Sequence, residues 1–205
     1  MTKYYKKKYG FMNYRTFDLE EYSPNFEDLT ITKEVEFSNV DIVDHYTLIE
    51  RGLWDNLMDF DMSLTGSHIC RIPYLKTWFD FSQYTAIAVN TTDGTIIGYA
   101  AYRILSDNYL SVGPFYAENK EIVQMLLNSL ICTAKNVETT TGIVYKKMTF
   151  TAFSHNTAIK ELLTEYSNNG INHDATYKSQ FSFGHFHPAR PGRLHCISDL
   201  DQGFV

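Results

Sequence analysis

Apolar and polar residues alternate along 28–37 (DLTITKEVEF), the period of two expected of a strand with one buried face. The period then lengthens. Val40, Val43, Ile49, Leu53 and Leu57 fall at helical spacing behind Ser38-Asn39, which carry N-cap chemistry, and predict a helix over 41–56. A second helix follows Gly66 through Ile69, Ile72, Leu75 and Trp78, with Pro73 in its first turn. YTAIAVN (84–90) and TIIGYAAYRIL (95–105) are strand-like runs separated by Thr92-Asp93-Gly94, a hairpin signal. Gly98 inside the second run marks a bulge or a close approach of another element.

Ser106-Asp107-Asn108 turns the chain into NYLSVGPFYAENKEIVQMLLNSL (108–130). An apolar strand runs into Gly113-Pro114 and crosses a short polar loop. It then enters a helix with Ile122, Val123, Leu126, Leu127, Leu130 and Ala134 on one side. KKMTFTAFS (146–154) reads as another strand. Asn156 opens a helix carrying Ala158, Leu162 and Leu163, which Asn168-Asn169-Gly170 ends. YKSQFSFGHF and RLHCISDL predict two late strands joined across Pro188 to Gly192. The expected order is β-α-α-β-β-β-α-β-α-β-β. It describes an α/β (α+β) fold: a mixed, mostly antiparallel central sheet of about seven strands flanked by helices. Three consecutive strands in the middle exclude a doubly wound parallel sheet. Residues 1–27, basic and aromatic, read as an N-terminal extension ending near Ser23-Pro24, and 28–205 as one domain.

Composition narrows the classes. A net charge of −6 argues against a general nucleic-acid binder, which needs clustered cations for phosphate, and suits a cationic or amine substrate. The N-terminal stretch lacks an apolar core of the secretory type, and no apolar run is long enough to span a bilayer. Cys70, Cys132 and Cys196 are odd in number and widely spaced, which fits a reducing, cytoplasmic setting. Fifteen Tyr and 14 Phe are many for this length. Tyr74, Trp78, Phe79, Phe81 and Tyr84 supply either an acceptor pocket or core packing.

The order of elements and the residues inside it resemble the GNAT acetyltransferase superfamily. DGTIIGYAAY is similar to that family's second and third strands, and LSVGPFYAENKEIVQMLL to its acetyl-CoA segment of strand, pyrophosphate loop and helix. SHNTAIKELLTEYSNNGI resembles its N-x-x-A helix and following turn. Within the superfamily, VGPFYAEN and CISDLD resemble the YitH-like branch. The resemblance implies acetyl-CoA as co-substrate and an unidentified amine acceptor, with no nucleic acid or membrane as partner; it leaves a homodimer open. It also implies that the strand before the loop splays from its neighbour, Tyr109–Gly113 from Met148–Ser154, with the thioester in the gap.

A helix N-terminus presents backbone N–H groups and the positive end of its dipole, a seat for anions. Ala117, Glu118, Asn119, Lys120, Glu121 and Ile122 would form that seat, Asn119 as cap and Lys120 as a direct cation. Leu110, Ser111, Val112 and Gly113 would line the thioester, with N–H groups near Val112 and Gly113 polarising its carbonyl. Phe153 and Asn156 would contact the coenzyme from the facing side. Relative to the family's R/Q-x-x-G-x-G/A loop, this chain carries Ala117, Lys120 and Ile122 where the Arg and glycines stand. Glu118 and Glu121 place carboxylates beside the phosphates, at about 1 kcal/mol each at an effective dielectric of tens.

The family's usual general-acid Tyr position falls on Leu162; Tyr166 lies one turn later and is the candidate in its place, or else an aromatic covering the helix end. His155 is the candidate base, with Glu118 as a second. His185-x-His187 and His195-Cys196 have metal-like composition without a third ligand at zinc spacing, so no metal is expected. The sequence therefore points to direct acyl transfer from acetyl-CoA to an amine. The alternative is a GNAT fold kept as a ligand-binding or protein-interaction module without transferase activity.

Overall fold

A computed structural model describes residues 18–32, 37–65, 71–178 and 191–197. The first strand, β1 (Asp18–Tyr22), lies in the stretch expected to be an extension. It pairs antiparallel with β6 (Lys147–Phe153) on one side and β7 (His173–Lys178) on the other. Tyr22 and Phe26 are core residues. The domain therefore begins by residue 18, not 28. The strand predicted over 28–37 is absent from its described part, where Leu29 makes only a bridge to Ser167.

β2 (Val40–Val43) forms where a helix was expected. Asp44, not Ser38 or Asn39, caps the helix that follows, accepting a hydrogen bond from the Thr47 N–H at 2.7 Å. That helix, α1 (His45–Glu50), is short. Gly52 (φ 69°) takes the left-handed conformation that a continuing helix forbids, and α2 (Trp54–Thr65) starts afresh. α3 (Ile72–Phe81) carries Pro73 in its first turn, where its missing N–H costs nothing.

From here the order of elements matches the expected one, except that β7 lies ahead of the strand predicted over 177–186, of which 179–186 lie outside the described residues. β3 (Tyr84–Asn90) and β4 (Ile96–Ile104) form the hairpin, and β5 (Tyr109–Ala117) leads into α4 (Lys120–Thr141). β6, α5 (Ala158–Tyr166) and β7 follow, and β8 (Leu194–Cys196) ends the described chain. The sheet order is β2-β3-β4-β5-β6-β1-β7, with β8 attached to β5. Every neighbouring pair is antiparallel except β5 and β6, which α4 joins by a crossover. α4 and α5 cover one face over the larger core, and α1 to α3 cover the other around Leu57, Leu75, Phe79 and Tyr99.

Gly98 is the close-approach position. A Cβ there would lie 2.9 Å from the Tyr116 carbonyl oxygen and 3.0 Å from side-chain atoms of Ile122 and Leu126. The missing side chain lets the first turns of α4 seat directly on β4 and so fixes where that helix begins.

Candidate active site

β5 and β6 run parallel only over Tyr109–Val112 and Lys147–Phe150. Beyond that register they part, while β5 continues to Ala117 and β6 to Phe153. The gap is filled by β8. Phe115 stands opposite Cys196 and Tyr116 opposite Leu194. On the other side Ile197 bridges Thr151 and donates its N–H to the Thr151 carbonyl at 2.9 Å.

At the open end of the divergence only Glu118 and Asn119 separate β5 from α4. The Glu118 N–H donates to the Ile97 carbonyl at 3.0 Å, and the Asn119 side chain accepts from the Ile122 N–H at 2.9 Å. Asn119 is the cap that its position predicts. The N–H groups of Lys120 and Glu121, in the first turn, have no acceptor inside the helix and point out of its end. Ala117 and Ile122, where the family loop has its Arg and second Gly, are buried in the core. They do not stand between that helix end and a ligand.

Next to it lies a cavity of about 250 Å³, lined by Lys120, His155, Asn156, Thr157, Ala158, Glu161 and Gly192. It brings the first turn of α5 alongside that of α4. Pockets that enclose a drug-sized ligand run to roughly 300–1,000 Å³, so this one suits the phosphate end of a coenzyme and not its whole length. Lys120 forms an ion pair with Glu161 across it, and Glu161 also accepts from the Thr157 hydroxyl at 2.7 Å. Hydrogen bonding to Lys120, then to Thr157, holds the Glu161 carboxyl below its usual pKa.

The other sequence-predicted residues separate into two groups. Lys120, His155 and Asn156 come together at the cavity, with Phe153 behind them; its ring stacks on His155 at 5.5 Å between centroids. The Asn156 amide donates to the Leu194 carbonyl at 2.8 Å, so in this structure it holds β8. Leu110 and Val112 turn into the core, Ser111 is half-buried, and the Gly113 carbonyl accepts from Trp78 Nε1 at 2.9 Å. Glu118 and Glu121 are exposed. Tyr166 lies at the far end of α5, about 12 Å along the axis from Ala158 at 1.5 Å per residue. It is fully buried; its hydroxyl accepts from Gln124 Nε2 at 2.9 Å and donates to Asn128 Oδ1 at 2.7 Å. These bonds tie α5 to α4 and engage the Tyr166 hydroxyl as both acceptor and donor.

Two features go beyond the sequence reading. The first is Arg193, which pairs with Glu118 at 3.1 Å, and His195, which is 3% exposed against the Phe115 ring. Burial lowers the His195 pKa from 6.5 to about 4. The Ala117 backbone opposes this weakly, without a well-formed hydrogen bond to either ring nitrogen. The strand predicted over 193–200 is present as β8, with 198–200 outside the described residues; where it docks was not legible. The second is a buried network beside β5. Asp61 accepts from the Tyr99 hydroxyl at 2.6 Å and lies 3.6 Å from Arg71 Nε, while Arg71 donates to the Tyr116 hydroxyl at 3.0 Å. Burial raises the Asp61 pKa against the pull of Arg71 and Tyr99. Burial lowers that of Arg71, but Tyr99, Tyr116 and Asp61 outweigh it and raise it above the usual value. An acid at 61 between Leu57 and Leu64 on the apolar side of α2 was a usable clue.

Trp78 and Phe79 are core residues, Tyr74 is half-buried and Phe81 is 70% exposed. The aromatic run thus divides between core and surface. Among the described residues no group of three His, Cys, Asp or Glu side chains is placed to hold a metal, and His185 and His187 lie outside those residues. No helix among the described residues is long and apolar enough to cross a membrane.

This arrangement, a strand divergence beside two helix N-termini, defines an acyltransferase-type α/β domain. The family profile for the acetyltransferase (GNAT) domain matches residues 61–165, just over half of the chain, and the protein belongs to that family. No curated protein matches it significantly. Among similar solved structures is a conserved Enterococcus faecalis protein of unknown function called a "Probable N-Acyltransferase" (14% identity, TM-score 0.49, 86% of this chain and 41% of that one). Another is a functionally unknown conserved protein from Staphylococcus epidermidis (10%, 0.45, 83% and 62%). A third is Eis1 from Mycobacterium abscessus (10%, 0.46, 86% and 43%). The chain spans less than two thirds of each.

Proposed function

We propose that the chain is an acyl-CoA-dependent N-acyltransferase, using acetyl-CoA and an amine acceptor. The observation that carries this is the cavity where the first turns of α4 and α5 meet at the open end of the β5–β6 divergence, with Lys120 on its wall. The N–H groups of Lys120 and Glu121, the α4 dipole and the Lys120 ammonium hold the phosphates. Asn156 fixes the coenzyme where it enters the gap. Acyl-CoA supplies an acyl group activated as a thioester; the amine nitrogen bonds to the carbonyl carbon as the C–S bond breaks and the thiolate leaves. Backbone N–H groups near Val112 and Gly113 stabilise the charge on the carbonyl oxygen. His155, on the cavity wall, takes the proton lost by the amine, directly or through water. A second reading, a GNAT fold without transferase activity, is favoured by one observation: β8 lies in the gap that the thioester needs.

Calorimetric titration of acetyl-CoA into the wild type and a Lys120→Glu/Asn156→Ala variant tests the first reading. Binding in the micromolar range, lost in the variant, is expected, followed by acyl transfer to a panel of amines. No binding at millimolar acetyl-CoA, in the wild type and in a chain whose β8 has been released, would overturn it in favour of the second.

A further inference from the structure

We propose that β8 is a displaceable plug: it occupies the acyl-CoA slot in the resting protein and must leave the β5–β6 gap before the coenzyme can enter. This rests on the acyl-CoA reading and adds to it a built-in competitor. The groups that reading needs around the gap are already engaged by this one segment. The β5 edge at Phe115 and Tyr116 is paired with Cys196 and Leu194, and the Thr151 carbonyl on β6 accepts from the Ile197 N–H. The Asn156 amide is bonded to the Leu194 carbonyl, Glu118 at the turn is paired with Arg193, and Gly192 forms part of the phosphate cavity wall. An extended strand and the pantetheine arm are alike in the relevant chemistry. Both are narrow chains carrying amides, and both satisfy an open strand edge, so only one can occupy the gap at a time.

The segment is held as something that can leave. β8 is three residues long. Leu194 sits in a small cluster with Leu19 and Phe153, apart from the main cores, and Cys196 alone reaches the larger core. Its ion pair, Arg193–Glu118, lies at the surface, where such pairs are weak. His195 must shed its hydration to dock, a cost that β8 recovers on release. An element of three residues has few hydrogen bonds to break and opens more readily than the long strands it rests on.

The test uses the full chain in two variants beside the wild type. Leu194→Asp sets a carboxylate against Leu19 and Phe153 only when β8 is docked, and so releases it; loss of protection at the Ile197 amide with α4 amides unchanged verifies the release. Thr151→Cys/Ile197→Cys, oxidised and verified by peptide mapping, locks β8 in place. Acetyl-CoA binding is titrated into all three. The expected result is affinity at least tenfold tighter than wild type in the released chain, no binding in the locked chain, and recovery of binding on adding reductant. Equal affinity in all three would overturn the plug while leaving the acyl-CoA reading standing. No binding in any of them, the released chain included, would overturn both.

Discussion

Acidification from about pH 7.5 to about pH 5 should loosen β8 by about 30-fold without unfolding the domain, through His195. The imidazole is 3% exposed, and burial holds its pKa at about 4 against 6.5 in water. It faces Phe115 and the Ala117 backbone on β5, and its own segment contributes the Arg193–Glu118 pair. The docked strand therefore binds fewer protons than the released one. Docking is at full strength above 6.5 and weakens as the pH falls toward about 4. At about pH 5 the released imidazole is almost fully protonated and the docked one hardly at all. The difference is about 2 kcal/mol. The Ile197 amide, which donates to Thr151 across the gap, reports the docked fraction by hydrogen exchange once corrected for its intrinsic rate at each pH. The Val123 amide, bonded to Asn119 in α4, serves as the internal reference. A His195→Phe variant should flatten the response. Protection that stays constant in the wild type, or falls equally in that variant, would refute the assignment to His195.

Two further outcomes concern the frame around the site. Gly98→Ala forces a Cβ to 2.9 Å from the Tyr116 carbonyl oxygen and should cost about 1–3 kcal/mol, read as a lower thermal midpoint together with weaker acetyl-CoA binding as α4 is pushed from its seat. An unchanged midpoint would mean that α4 accommodates the methyl group freely. Asp61→Asn strands the buried Arg71 guanidinium without its carboxylate and should cost about 3–5 kcal/mol in denaturant unfolding. Replacing both, Asp61→Leu with Arg71→Met, should recover much of that loss; if the double variant is no better than the single, charge burial is not the cause.

The parts of the fold legible in the sequence are those whose pattern is decided locally. The hairpin of β3 and β4 has its Asp93-Gly94 turn, and α4 is long enough for Ile122 to Ala134 to declare one apolar side. The junction of β5 and α4 puts Asn119 and Lys120 at a helix end from local pattern alone. β1 was hidden by its own irregularity. A register shift between Glu21 and Tyr22 breaks the period of two, and two glutamates sit between its buried residues Leu19 and Tyr22. β2 was read as helix because Val40 and Val43 stand three apart, a helical spacing that in a strand puts them on opposite faces, and four residues show no alternation to correct it. The surroundings of Tyr166 were hidden for a different reason. Sequence gives its face on α5 but not the two α4 amides that claim its hydroxyl. β8 was legible as a strand within RLHCISDL but its place was not, because what fixes it is the β5 edge that it covers.

That last point bears on how weak coenzyme binding by this chain should be interpreted. Two acidic residues near the proposed phosphate seat, Glu118 and Glu161, are each neutralised by a cation, Arg193 and Lys120. A phosphate that takes Lys120 does not gain a new contact outright; it exchanges one Lys120 partner for another, and the released Glu161 still has the Thr157 hydroxyl. The gap behaves alike, since whatever enters it replaces β8. Measured affinity is then the difference between two occupants. If β8 were undocked about 1% of the time, the apparent affinity would be about 100-fold weaker than that of the open site. A feeble titration in the intact chain would not by itself mean that the site has decayed. Only the chain with β8 released measures the site, and the ratio of the two affinities measures the plug.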